Sequence, residues 1–189
     1  MSEGTGTPGG VVGYGTLDDF VRAVEAHPNI DWRKYLFWAL GNKDLTARVE
    51  IVNWMLDNGA DPAQVDADEK INALHAMFEE REHDFVVEAK LLQRLLDGGA
   101  DINLKAPKWS VPIQTIIDEM IASDDEVAPF YDVIFSYPGI DWDVIADKAF
   151  GEPISLRRSV ELSAKQCPEL YRRMCDYMEN GPSPRPVFD

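Results

Sequence analysis

The sequence predicts an all-α chain in which helical pairs stack on one another, and three observations carry that prediction. A short string recurs, as "LDNGAD" at residues 56–61 and "LDGGAD" at 96–101, with looser copies "AHPNID" ending at Asp31 and "SYPGID" ending at Asp141. Each copy closes a segment whose apolar residues return at three- and four-residue spacing, the signature of one helical face. Glycine stands two residues before three of the four aspartates, at Gly59, Gly99 and Gly139. There the chain can leave a helix in the left-handed conformation without a Cβ penalty. Asn29 holds that place in the first copy and is the second choice for the same conformation.

The segments before the turns are "LDDFVRAVEAH", "ARVEIVNWMLDN", "VVEAKLLQRLLDG" and "VAPFYDVIFSY". In the third, Val87, Leu91, Leu92, Leu95 and Leu96 form the apolar stripe. After each aspartate comes a loop and then a second helix. It begins within two residues at "RKYLFWAL", and after longer loops at "NALHAMFEERE", "VPIQTIIDEMI" and "EPISLRRSVEL". Asn72 is placed to cap its helix. Pro112 and Pro153 suit a first helical position, where no amide donor is needed. A last helix, "PELYRRMCDYMEN", ends before Gly181. The glycine-rich residues 1–16 read as a flexible leader, 17–181 as the repeat domain, and the proline-rich residues 182–189 as a loose tail.

The repeating unit, helix, glycine turn, aspartate, loop, helix, resembles the ankyrin repeat. "LLDGGADINLKAP" followed by "VPIQ" is similar to that family's leucine-rich helix, Gly-Ala-Asp-x-Asn turn, hairpin and Thr-Pro-Leu-His helix start. "NALH" matches that start at Leu74 and His75. The resemblance spans about residues 17–180 and is strongest over 49–113. It implies a helix-turn-helix solenoid with long loops, in which His75 hydrogen-bonds loop backbone. The spacings of 30 and 40 depart from the family's period of about 33, and Asn72, Val111 and Glu152 replace its threonine. An array of helical pairs of another type fits the same pattern.

Chemistry is sparse. Cys167 and Cys175 are eight residues apart, about 12 Å along a shared helix, too far for a disulfide. They read as reduced thiols of a cytoplasmic protein. His75, Glu79 and His83 fall at i, i+4 and i+8, so a metal site or an enzyme using His75 and Glu79 is conceivable. No Cys–His, phosphate-loop or nucleophile-elbow signature accompanies them. The expectation is a non-enzymatic protein with no metal and no cofactor. No 18-residue apolar run spans a membrane.

Charge points to a partner. The chain carries 34 acidic and 18 basic residues, a net charge of −16. That repels nucleic acid and anionic membrane and attracts a basic protein. Residues 118–147 hold nine acids and no base, while residues 157–173 are basic, with Arg157, Arg158, Lys165, Arg172 and Arg173. On one side of such a stack, Asp66, Asp68, Glu69, Asp143 and Asp147 form an expected acidic edge. Of the five tryptophans, Trp38 and Trp54 sit in apolar helical patterns and read as core. Trp32, Trp109 and Trp142 lie in or beside loops and read as anchors, Trp109 with Lys108 beside it at a loop tip. The sequence thus predicts a monomeric binding module, an inhibitor or immunity-type protein that captures a basic toxin or effector. The alternative is a scaffold or adaptor with a tryptophan-centred interface.

Overall fold

The computed structural model describes residues 6–119, 122–149 and 151–188. Among these lie ten α-helices: α1 (Pro8–Val11), α2 (Leu17–Ala26), α3 (Leu36–Leu40), α4 (Leu45–Asp57), α5 (Ala73–Phe78), α6 (Phe85–Asp97), α7 (Pro112–Glu119), α8 (Ala128–Ile134), α9 (Leu156–Leu162) and α10 (Pro168–Asn180). A 3-10 turn, Trp32–Tyr35, leads into α3. The fold is mostly helical but not all-α. An antiparallel hairpin, β1 (Ile145–Ala149) with β2 (Glu152–Ser155), precedes α9. Pro153 therefore lies in a strand rather than opening a helix, and Ser155 caps α9 through its side chain.

The helices form two rows. α2, α4, α6, α8 and α10 each pack against the next, and so do α3, α5, α7 and α9. The core lies between the rows, where Phe20, Ile51, Met55, Leu74, Met77, Leu92, Ile113 and Phe130 are buried.

The recurring string is the joint that makes this stacking possible. Gly59, Gly99 and Gly139 have φ of +90°, +98° and +84°. After α4, Ala60 N–H donates to Met55 O and Gly59 N–H to Leu56 O; after α6, Ala100 N–H donates to Leu95 O and Gly99 N–H to Leu96 O. This paired pattern satisfies carbonyls that a helix end leaves free. Asn29 differs from expectation: it does not take a positive φ. α2 has already ended at His27, so no left-handed residue is required there.

All four aspartates do one job. Asp31, Asp61, Asp101 and Asp141 each accept, through Oδ1, the N–H of the residue two positions on, at 3.2, 2.9, 2.8 and 3.0 Å. This side-chain turn fixes the direction in which the loop departs.

Side chains of one unit then satisfy the backbone of the next. Asn72 Nδ2–H donates to Asp101 O at 2.7 Å. Asn103 Nδ2–H donates to Gly139 O, and its Oδ1 accepts Asp141 N–H, both at 2.8 Å.

One buried cluster ties α4 to α6. The Arg48 and Glu88 side chains are 1% and 0% exposed, and their Nη1 and Oε2 lie 3.1 Å apart. Arg48 also donates to the carbonyls of Asn42 and Glu82. Glu88 accepts Asp84 N–H at 3.0 Å and lies 3.0 Å from His83 Nδ1. Every strong group is therefore partnered, as burial of charge requires.

The described parts of the leader and of the tail pack onto the helical body. Residues 1–5 lie outside the described residues, but from Thr7 the leader forms α1, and Val12 is fully buried. Asn42 Nδ2 donates to Val12 O and Gly15 O. Gly9 lets the chain pass the Tyr35 ring, where a Cβ would lie 2.7 Å from a ring carbon. In the tail, Ser183 N–H donates to Phe135 O, and Arg185 pairs with Asp97 at 2.7 Å while lying over the Tyr137 ring.

Breaking a sealed ion pair strands a charge, which costs far more than the pair contributes against an apolar replacement. Glu88→Ala should lower the unfolding free energy in urea by about 3–5 kcal/mol, while Arg48→Met with Glu88→Leu should restore most of it. A single-variant loss below about 1 kcal/mol would remove the pair from this role.

Candidate protein-binding surface

The loops after Asp61 and Asp101 meet at their tips. Lys108 Nζ bonds both carboxylate oxygens of Glu69, the nearer at 2.8 Å. The second loop is closed by a bridge in which Ala106 and Ser110 exchange both backbone hydrogen bonds, at 2.6 and 2.9 Å. Ser110 takes φ of 61° there. Its hydroxyl bonds Ala146 O in β1, and its carbonyl faces His75 Nε2 at 3.1 Å.

Beside this tip runs an open groove of about 410 Å³. Its walls are the 105–110 loop with Trp109, the end of α7 with Asp118 and Glu119, and β1 with Ile145 and Asp147. Trp109 is half-buried. Thr115 Oγ1 donates to its carbonyl at 3.2 Å and holds the loop against α7.

The carboxylates of this region act on one another. Desolvation and then the charges of Asp147 and Glu119 push the Asp118 carboxyl up, against a hydrogen bond from Gln114 that lowers it. Desolvation and then Glu80, Glu119 and Glu69 push up Glu79, with Lys43 opposing. An acidic strip thus runs from Glu80 and Glu79 at the end of α5, past Glu69 and Glu119, to Asp118 and Asp147. Carboxylates near helix C-termini also oppose the helix dipole.

Of the residues expected at an interface, Glu69, Lys108, Trp109 and Asp147 come together here. The others do not join them. Asp66 accepts the Asp68 and Glu69 N–H groups, shaping its own loop, and Asp68 is exposed at that turn. Asp143 is exposed and pairs with Arg157 at 3.2 Å.

Trp32 and Trp142 are core residues, not anchors, being 9% and 7% exposed. Trp32 packs on Phe20 and Trp54, while Trp142 stacks on Phe135 at 5.8 Å and meets Tyr177 edge-on. Trp38 reverses the other way: it is 59% exposed, lying against Tyr35. The 3-10 turn before the five-residue α3 shifts the phase that the apolar pattern suggested.

Sequence reasoning missed Glu80, Asp118 and Glu119. The signal was present: Glu79 and Asp118 are 39 residues apart, as are Glu80 and Glu119, so the pairs recur at matching places in successive units.

The His75–Glu79–His83 face does not form. His75 is 1% exposed. Its Nε2 lies 3.1 Å from Ser110 O, and its Nδ1 lies 2.8 Å from Asn72 Oδ1 and 3.3 Å from the Asn72 N–H. The side chain of His83 is sealed against Glu88. Among the described residues no group of three or more His, Cys, Asp or Glu is placed to hold a metal ion. Cys167 and Cys175 are free thiols, Cys167 at the cap of α10 and Cys175 within it. No helix among the described residues is long and apolar enough to cross a membrane.

No protein-family model and no curated protein matches the chain. One solved structure is similar along its whole length: that of a functionally unknown protein from Leptotrichia buccalis C-1013-b. The TM-score is 0.73 at 25% identity, covering 95% of this chain and 96% of that one. The two share a fold, and the neighbour brings no function with it.

Burial is the leading cause that lowers the His75 pKa from 6.5. The unfolded chain therefore binds the extra proton first, and stability falls as pH drops through 6.5 toward the lower folded value. Urea midpoints should decline from pH 7 to about 5 in the wild type and less steeply in His75→Gln. Parallel profiles would contradict this.

Proposed function

We propose that this protein is a non-enzymatic binding module built from divergent ankyrin-like repeats, and that it captures a basic partner protein in the manner of an inhibitor or immunity protein. The acidic strip from Glu80 to Asp147 carries the proposal. Within it Glu80 and Glu69 are paired with Lys43 and Lys108, while burial and neighbouring carboxylates disfavour the charged forms of Glu79 and Asp118. A cationic partner relieves that cost, so binding would draw on interactions that folding itself does not use. The two-row frame suits capture, because a preorganised backbone loses little conformational freedom on association.

The adaptor reading has one observation in its favour: Trp38 and Tyr14, 59% and 85% exposed, present aromatic surface at the first unit. The two readings part on salt and on mutation. Once the partner has been captured and identified, its association rate should fall about tenfold or more between low and high salt. Glu79→Lys with Glu119→Lys should slow it by a similar, about tenfold, factor. Rates indifferent to both changes would end the electrostatic reading, and loss of binding through Trp38→Ala alone would favour the adaptor.

A further inference from the structure

We infer that the C-terminal tail occupies a peptide site on the protein's own surface, and that the partner takes this site by displacing the tail with an extended segment bearing an arginine. This rests on the basic-partner reading and adds a second point of contact to it. The observation that carries it is an arginine already seated. The Arg185 guanidinium lies 4.5 Å from the centre of the Tyr137 ring, and its Nη1 is 2.7 Å from Asp97 Oδ1.

The seat is built from groups outside the tail. The Tyr137 hydroxyl lies 2.5 Å from Asp97 Oδ1 and 3.0 Å from Gln93 O, which holds the ring against the end of α6. Tyr177 of α10 in turn donates to Tyr137 O at 3.0 Å. Asp57 and Asp97 hold the same place in successive copies of the recurring string. Asp57 takes its guanidinium from the next helix of its row, where Arg94 also bonds Asn53 Oδ1 at 2.8 Å. At the place in α8 that matches Arg94 stands Ile134, so Asp97 receives its guanidinium from the tail instead.

The tail has the form of a ligand and is lightly held. Pro182, Pro184 and Pro186 have no N–H to donate, and each fixes φ at about −65°. An extended polyproline conformation repeats every three residues, so it places Arg185 and Phe188 on one face. Those are the two side chains that meet the helical body, Phe188 being half-buried against the core. Among the described residues after Gly181, the backbone hydrogen bond to the helices is Ser183 N–H to Phe135 O, at 2.9 Å. A cavity of about 310 Å³, lined by Arg173 and Tyr177 of α10 and by Pro182, Ser183 and Pro184, leaves the start of the tail loosely seated. The side chains of Arg185 and Asp97 are 52% and 42% exposed, and an ion pair that open adds little stability. A segment so fastened yields to a rival that brings the same arginine together with contacts elsewhere.

The test is an NMR titration of the full chain with a blocked peptide, GPSPRPVF, copying residues 181–188. In the wild type the resident tail competes with it. In the full chain carrying Arg185→Ala with Phe188→Ala the tail competes poorly, and the peptide should bind about tenfold more tightly, shifting the amides of Asp97, Phe135 and Tyr137. In that background Asp97→Asn should weaken the peptide about tenfold. A peptide with lysine in place of its arginine should bind about fivefold more weakly, a comparison that leaves the fold untouched. No binding to the tail-weakened chain, equal affinity for that chain and the wild type, or equal affinity for the arginine and lysine peptides would overturn the site. Each of those results would leave the basic-partner reading standing, because that reading is decided by the partner's association with the Glu79 and Glu119 variants.

Discussion

A chain that reverses direction at every helix end exposes backbone groups that the helix itself cannot pair, and the structure depends on satisfying them across unit boundaries. Gly59, Gly99 and Gly139 turn the chain, and the aspartates that follow fix the exit. What remains is met by the neighbouring unit: Asn72 reaches Asp101 O, His75 reaches Ser110 O, and Asn103 takes both Gly139 O and Asp141 N–H. These bonds set the spacing at which the two helical rows stack. Arg48 and Glu88 do the same work deeper in the structure, where a charge without a partner is not tolerated.

The acidic strip has a different character. The aspartates of the turns accept backbone N–H groups and stabilise the fold. Glu79, Asp118 and Glu119 face other carboxylates, and desolvation together with those neighbours disfavours the charged forms of Glu79 and Asp118. Groups arranged against the local electrostatics are poor choices for stability alone. The fold can carry them because the ladder between units supplies order independently of that face. Binding of a cation would convert the same repulsion into attraction.

What the sequence disclosed follows from how narrowly physics limits each position. Left-handed turns select glycine, and short loops select aspartate, so the four turns and most helices were readable from spacing. Burial was less readable. Trp32 and Trp142 look like loop residues yet fill gaps between units, and Trp38 sits in an apolar pattern yet faces out, because a 3-10 turn alters helical phase. The leader is rich in glycine, which suggests flexibility, but Gly9 is there to clear Tyr35. β1 and β2 carry weak alternation and a proline, so their pairing emerged only in three dimensions. The groove required Trp109, Asp118 and Asp147 to converge from three elements; loop position and charge marked Trp109 and Asp147, while Asp118 was marked only by the 39-residue recurrence of acids.

The claim that neighbouring units complete one another's turns is tested most directly by hydrogen exchange at a single amide. Asp141 N–H is bonded to Asn103 Oδ1, on the preceding unit. Asn103→Ala should speed exchange at Asp141 by about fivefold, corresponding to about 1 kcal/mol for a lost hydrogen bond, and the effect should extend into the 139–144 turn. Unchanged protection at Asp141 would show that the turn holds itself, and would contradict the account.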